Sequence, residues 1–134
     1  MKNLVFLLLF APFALLANPV VGEEGNPSLE AISQALSAGD ADALSKYFAD
    51  NVEISILDKE QVLPKSKAIE AMRSFFNSSK PKNFAQVHQG TSRESSDQYC
   101  IGNMTATSGN FRVYIYLKIS GGSASIKEMR FDKA

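Results

Sequence analysis

The sequence predicts an α+β domain in which three helices pack on a curved, mostly antiparallel sheet. Three observations predict it. Apolar residues recur at helical spacing in three short segments of the first half. The period switches to alternation at Val52, Ile54 and Ile56, and again from Asn83 onward. Gly109-Asn110 and Gly121-Gly122 then punctuate the last alternating runs, as hairpin turns do. Helices followed by a meander of strands segregate to one face of an antiparallel sheet.

The chain starts with a segment that reads as removable. Lys2 gives a short positive region, Leu4 to Leu16 is apolar but for Pro12, and Ala17 offers a small cleavage position. That is the layout of a secretory signal peptide. The apolar run is shorter than the ~20 residues a membrane-spanning helix needs. Residues 1–22 are therefore expected to be signal peptide and leader, with cleavage after Ala17 or Gly22. Residues 23–134 form a single domain, exported to the periplasm or outside the cell, with no membrane attachment after cleavage. Cys100 is the only cysteine, so no intramolecular disulfide can form and the core must hold the fold.

The elements follow in order. Asn26-Pro27 is a helix start, with a capping side chain before a residue of fixed φ. Leu29, Ile32 and Leu36 share a face, and Gly39 stops the helix. Asp40 caps a short second helix whose apolar side is Leu44, Tyr47 and Phe48. A strand over Val52–Ile56, a "DKEQ" turn and a short "VLP" strand come next. Ser66 is placed to cap the third helix, with Ile69, Met72, Phe75 and Phe76 inward. Four strands complete the chain: "FAQVHQG", "YCIGNMTATS", "FRVYIYLKIS" and "SIKEMRF".

The hairpins decide which residues face the core. A two-residue turn at Gly109-Asn110 sets Met104 opposite Ile115 and Ala106 opposite Val113. The last hairpin has two readings. A two-residue loop at Gly121-Gly122 turns Glu128 and Arg130 inward; a three-residue loop including Ser123 turns Met129 and Phe131 inward instead. A one-residue slip moves every side chain to the other face. Burial of Met129 and Phe131 favours the longer loop, with Arg112 opposite Asp132 and Glu128 opposite Tyr116. The inward face is then lined by Met104, Val113, Ile115, Leu117, Met129 and Phe131. The outward face carries Tyr99, Arg112, Tyr114 and Tyr116.

The stretches "ISQALSAGDADALSKYF", "VEISIL", "SKAIEAMRSFF", "FAQVHQG", "YCIGNMTATSGNFRVYIYLK" and "IKEMRFD" together resemble a domain-of-unknown-function family. Its members are small exported bacterial proteins of the nuclear transport factor 2-like superfamily, whose cystatin-like fold is a cone. The resemblance covers roughly Leu29 to Asp132. It implies a pocket between helices and sheet, but no activity, because the superfamily includes enzymes, ligand binders and scaffolds alike.

Charge is balanced overall but segregated. Residues 18–58 hold eight acids and one lysine; residues 59–134 hold twelve bases and six acids. The cluster Lys59, Lys65, Lys67, Arg73, Lys80 and Lys82 lacks interleaved aromatics until Phe75, which argues against nucleic-acid stacking. A basic patch for an anionic polymer has no support beyond this segregation. One His and one Cys among scattered acids make no metal-ligand spacing, and no cofactor loop is present. Asn77-Ser-Ser and Asn103-Met-Thr match a glycosylation motif that arises often by chance.

The leading expectation is a non-catalytic exported domain that binds a small apolar ligand or a protein partner. A homodimer through the outward sheet face is the specific partner expectation. The alternative is an isomerase, dehydratase or cyclase-type enzyme with His88 or Glu128 as proton-transfer base and Arg130 beside Glu128. His88 alternates with Phe84 and Gln86, which places it inward; a lone His without a placed acidic partner reads first as structural. Cys100 on an apolar strand face reads as a small core residue.

Overall fold

The structure, a computed structural model, describes residues 27–134. The expected signal peptide, its cleavage sites and Asn26 lie outside the described residues. The helices are α1 (Pro27–Ala38), α2 (Ala41–Ser45) and α3 (Lys65–Ser78). The strands are β1 (Phe48–Ile56), β2 (Lys59–Pro64), β3 (Pro81–Thr91), β4 (Gln98–Ala106), β5 (Gly109–Ser120) and β6 (Ser123–Lys133). They form one six-stranded sheet in the order β2-β1-β6-β5-β4-β3. Only the β1–β6 pair is parallel; the other four are antiparallel.

Local signals explain the helix ends. Gly39, at φ 65°, ends α1: its amide reaches the Leu36 carbonyl, and the Asp40 amide reaches that of Ala35. This double closure needs a left-handed residue, which glycine supplies. Asp40 then caps α2 by accepting from the Ala43 amide at 3.0 Å. The expected cap at Ser66 does not form. The chain passes straight from β2 into α3 through an extended Pro64, without a side-chain cap, so Ser66 falls inside the helix. Phe48, expected on the second helix, instead opens β1 and pairs with Ile126.

Helices α1 and α3 cover one face of the sheet, and their apolar sides merge with the strands into one core. Leu29, Ile32 and Leu36 from α1 and Met72, Phe75 and Phe76 from α3 join Val52, Ile54 and the inward residues of β4, β5 and β6. Phe75 packs on Phe111 and Phe131, with ring centres 5.4 Å and 4.9 Å away. Each fully buried side chain of this size contributes about 1.5–3 kcal/mol.

Both hairpins depart from the expected turns while keeping the expected faces. The β4–β5 loop is Thr107-Ser108, closed by Ala106 opposite Gly109, so Met104 stands opposite Phe111 rather than Ile115. The turn has moved by two residues, an even shift, and side-chain direction is unchanged. Tertiary bonds fix it there. The Thr107 amide donates to the Lys80 carbonyl, the Lys80 amide donates to Thr107 Oγ1, and Ser108 Oγ donates to Ser79 Oγ.

In β5–β6 the loop has two residues, Gly121 and Gly122, both at positive φ, with Ser120 opposite Ser123. The expected three-residue loop is not used. Yet Met129 and Phe131 still face inward, because a bulge at Lys127 inserts the extra residue inside the strand. Arg112 faces Asp132 and Tyr116 faces Glu128, as the sequence implied.

Candidate functional site

The sheet has a covered face and an open face, and the expected site residues divide between them. Met104, Val113, Ile115, Leu117, Met129 and Phe131 all point under the helices, but they are core rather than pocket lining. Each is 0% exposed. At zero exposure no void that admits a water touches them. Cys100 is buried in the same layer, and burial pushes its thiol up to about 11. It is a core residue with almost no thiolate at neutral pH.

His88 is not in this layer. A bulge between Gln86 and His88 shifts the β3 register and sets His88 opposite Ile101, exposed on the open face. The strict alternation that placed it beside Phe84 fails at that one inserted residue. Its Nε2 lies 3.3 Å from the Tyr99 hydroxyl. Glu128 and Arg130 also stand on the open face, where Glu128 is half-buried and Arg130 exposed. None of the three expected acid–base candidates approaches the covered core.

The open face is ordered in rows across the strands. One row runs Gly90, Tyr99, Tyr116, Glu128, Glu53, Val62; the next runs His88, Ile101, Tyr114, Arg130, Ser55, Glu60. The β3–β4–β5 half is therefore aromatic and the β6–β1–β2 half is acidic. Tyr99 lies across Gly90, where an added Cβ would stand 2.4 Å from the ring. Tyr99 and Tyr114 stack with centres 6.5 Å apart.

Asp97 is a structural residue that the sequence reading left inside a polar loop. Its carboxylate accepts from the Tyr116 hydroxyl at 2.7 Å and from the Ile119 amide at 3.1 Å. Those two bonds hold it below its ordinary value and tie the β3–β4 loop to β5. Tyr116 is raised by the same bond. Burial first, and then Glu128, raise Tyr114. In the acidic half, the hydrogen bond shared with Glu60 raises Glu53, and the charge of Glu128 adds to it.

At the end of the acidic half the open face dips into a cleft of about 670 Å³. Ser55 of β1, Leu57 and Asp58 of the β1–β2 turn, Glu60 of β2, and Arg130, Asp132 and Lys133 of β6 line it. The turn residues adopt φ of 50° and 68°, a conformation that leucine rarely takes. No spacing rule could have found this cleft, because β1 and β6 come together only through the long-range parallel pairing.

Two members of the basic cluster are paired with acids. Lys67 pairs with Glu70 along α3, and Arg73 with Asp42 of α2, all largely exposed. Among the described residues no group of three or more His, Cys, Asp or Glu is placed to hold a metal. No described helix is long and apolar enough to cross a membrane.

Comparison with known proteins matches the fold and the family. No curated protein matches the chain. Among solved structures, a DUF4783 family protein from Bacteroides ovatus is 34% identical with a TM-score of 0.72, covering 78% of this chain and 93% of that one. Another from Bacteroides uniformis is 30% identical with a TM-score of 0.73, covering 78% and 95%. A nuclear transport factor 2-like protein from Cytophaga hutchinsonii shares the fold at 13% identity and a TM-score of 0.58, covering 79% and 92%. The model of one family, described as a domain of unknown function (DUF4783), matches residues 29–132. That span takes in both faces of the sheet and all three described helices, and the chain is a member of the DUF4783 family with a nuclear transport factor 2-like fold.

Proposed function

We propose that this is a non-catalytic exported domain that works by protein–protein contact through the open face of its sheet, in the first place with a second copy of itself. The observation that carries the reading is the contrast in filling. The layer where a cone-fold enzyme or ligand carrier needs a pocket is packed to 0% exposure at Met104, Val113, Ile115, Leu117, Met129 and Phe131. A small apolar ligand has no space beside these six residues; the cleft of about 290 Å³ between α3 and the β1–β2 hairpin, lined by Ile54, Ile56, Leu63 and Phe75, includes none of them. The proton-transfer alternative has no support from position, since His88, Glu128 and Arg130 all lie outside the core.

The open face, by contrast, presents Tyr99, Ile101, Tyr114 and Tyr116 half-exposed in adjacent rows. Tyrosine and arginine are enriched at interface centres. Charge favours self-association: Arg112 and Lys118 lie on the aromatic half, while Glu53 and Glu128 lie on the other, which also carries Arg130. A two-fold axis that sets each half over the partner's opposite half brings these signs together.

Light-scattering mass of the wild type tests this. A dimer is expected at micromolar concentration, and Tyr116→Glu is expected to give monomer, because a charge buried without a partner is costly. Since Tyr116 also bonds Asp97, Ile101→Lys is the second variant; Ile101 has no side-chain hydrogen bond to lose. A monomeric wild type at high micromolar concentration, or a dimer that survives both substitutions, ends the reading. Export is tested separately by intact mass: protein recovered from its host is expected to lack the first 17 to 22 residues.

A further inference from the structure

We infer that the cleft between the β1–β2 turn and β6 binds a zwitterion, an amino acid or short peptide that carries a free ammonium and a free carboxylate beside an apolar side chain. Three observations converge there. Ser55 is only 5% exposed, yet it lines the cleft, and among the described residues its hydroxyl makes no hydrogen bond. The hydroxyl opens into the cleft with no described protein partner, which leaves a donor and an acceptor free for a ligand atom.

The cleft also carries charges of both signs that do not satisfy one another. Arg130 and Lys133 face the same space as Asp58, Glu60 and Asp132, and none of the five forms an ion pair with a described residue. Arg130 is the direct cross-strand neighbour of Ser55, and Glu60 is the neighbour on the other side. A carboxylate held by the Arg130 fork can accept the Ser55 proton as well. The ammonium then meets the carboxylate of Asp58 and that of Glu60, whose hydrogen bond with Glu53 holds the two acids together. A ligand with only one charge leaves the opposite set unanswered.

The third observation supplies the apolar contact. Leu57 is 47% exposed and held at positive φ, with its amide bonded to the Phe131 carbonyl at 2.9 Å. Glycine or asparagine normally fills such a turn position. Here a leucine is presented at the mouth of the cleft instead. A volume of about 670 Å³ suits a molecule of one to three residues.

The test is titration of the ¹⁵N-labelled chain with four probes, read by amide shifts of residues 55–60 and 128–133. L-Leucine and L-leucyl-L-leucine carry both charges; 4-methylpentanoate keeps only the carboxylate and isopentylamine only the ammonium. Saturable shifts with either zwitterion, at least about tenfold tighter than with both single-charge analogues, are expected, since each charged hydrogen bond lost weakens binding by roughly that factor. The tighter of the two zwitterions tells whether a free amino acid or a peptide is the natural source. Arg130→Gln and Ser55→Ala are each expected to weaken binding while leaving the melting temperature close to wild type. Lys67→Gln, on the far side of α3, is expected to bind like the wild type. Equal binding of 4-methylpentanoate would reduce the cleft to a simple anion site, and equal binding of isopentylamine to an acidic cluster. Either result overturns the inference, as does the absence of saturable shifts.

Discussion

Along β5 the two faces of the sheet can be compared residue by residue. Phe111, Val113, Ile115 and Leu117 point under the helices and are buried, while Arg112, Tyr114, Tyr116 and Lys118 point away and remain partly or fully exposed. The inward set is held mainly by volume, since it packs into the shared apolar core. The outward set is held by directional bonds to Asp97 and by cross-strand pairing with Glu128, Arg130 and Asp132. One face therefore answers to changes of size, and the other to changes of charge and pH.

The largest effect is expected on the covered face. Phe131→Ala removes a ring packed on Phe75 and is expected to cost about 3–5 kcal/mol in denaturant unfolding. A loss below ~1 kcal/mol would mean that the core is less tightly filled than its exposures imply. Next comes Gly102→Ala, on the same face. A Cβ there would stand 2.3 Å from the Phe84 ring and 2.8 Å from the Ala85 carbonyl oxygen, and the backbone atom cannot swing away. Overpacking of this kind is expected to cost about 1–3 kcal/mol.

The open face is expected to respond in other observables. Asp97→Asn weakens the acceptor of Tyr116 and Ile119, so faster amide exchange is expected at Ile119 and through residues 92–97, with little change in the global melt. The same carboxylate gives a pH signature. Its folded pKa is depressed, so its contribution is present above the ordinary 3.8 and is lost as pH falls through the lower folded value. Wild type and Asp97→Asn are therefore expected to converge in loop exchange in strong acid.

The smallest effect is expected at Glu53, and its sign is opposite. Its folded pKa is raised, so ionising it in the folded state is unfavourable. The penalty is absent below the ordinary 4.5 and grows as pH rises through the folded value. Glu53→Gln is expected to melt slightly higher than the wild type at pH 7 and level with it below pH 4.5. A lower melt at neutral pH would show that Glu53 has a favourable partner and that the acidic half is not self-repelling.

Much of the covered face was legible in the sequence, because burial selects apolar residues with the period of the element. Val113, Ile115 and Leu117 declare a strand face on their own, and Gly39 and Asp40 declare a helix end by chemistry that is local. What escaped was decided by contacts between distant segments. The β4–β5 turn follows its bonds to Ser79 and Lys80 rather than the Gly-Asn signal. Bulges at Val87 and Lys127 leave no mark in composition, yet the first moves His88 to the open face and the second keeps Met129 and Phe131 inside. The cleft was illegible for the same reason. Its two walls are seventy residues or more apart in the chain and meet only across the β1–β6 pair.

That parallel pair also sets the order in which the molecule can be assembled. The last strand of the chain lies third in the sheet, between the β1–β2 hairpin and the β5–β4–β3 meander. Until it is delivered, the two blocks have no shared edge, and each exposes an unpaired strand and half of an apolar face. Contacts of such long sequence separation close large loops and slow folding. During synthesis the sheet is therefore incomplete until β6 has emerged. The corollary is that a chain truncated before Ser123 is expected to yield no partial domain, only an aggregation-prone polypeptide with two bare strand edges.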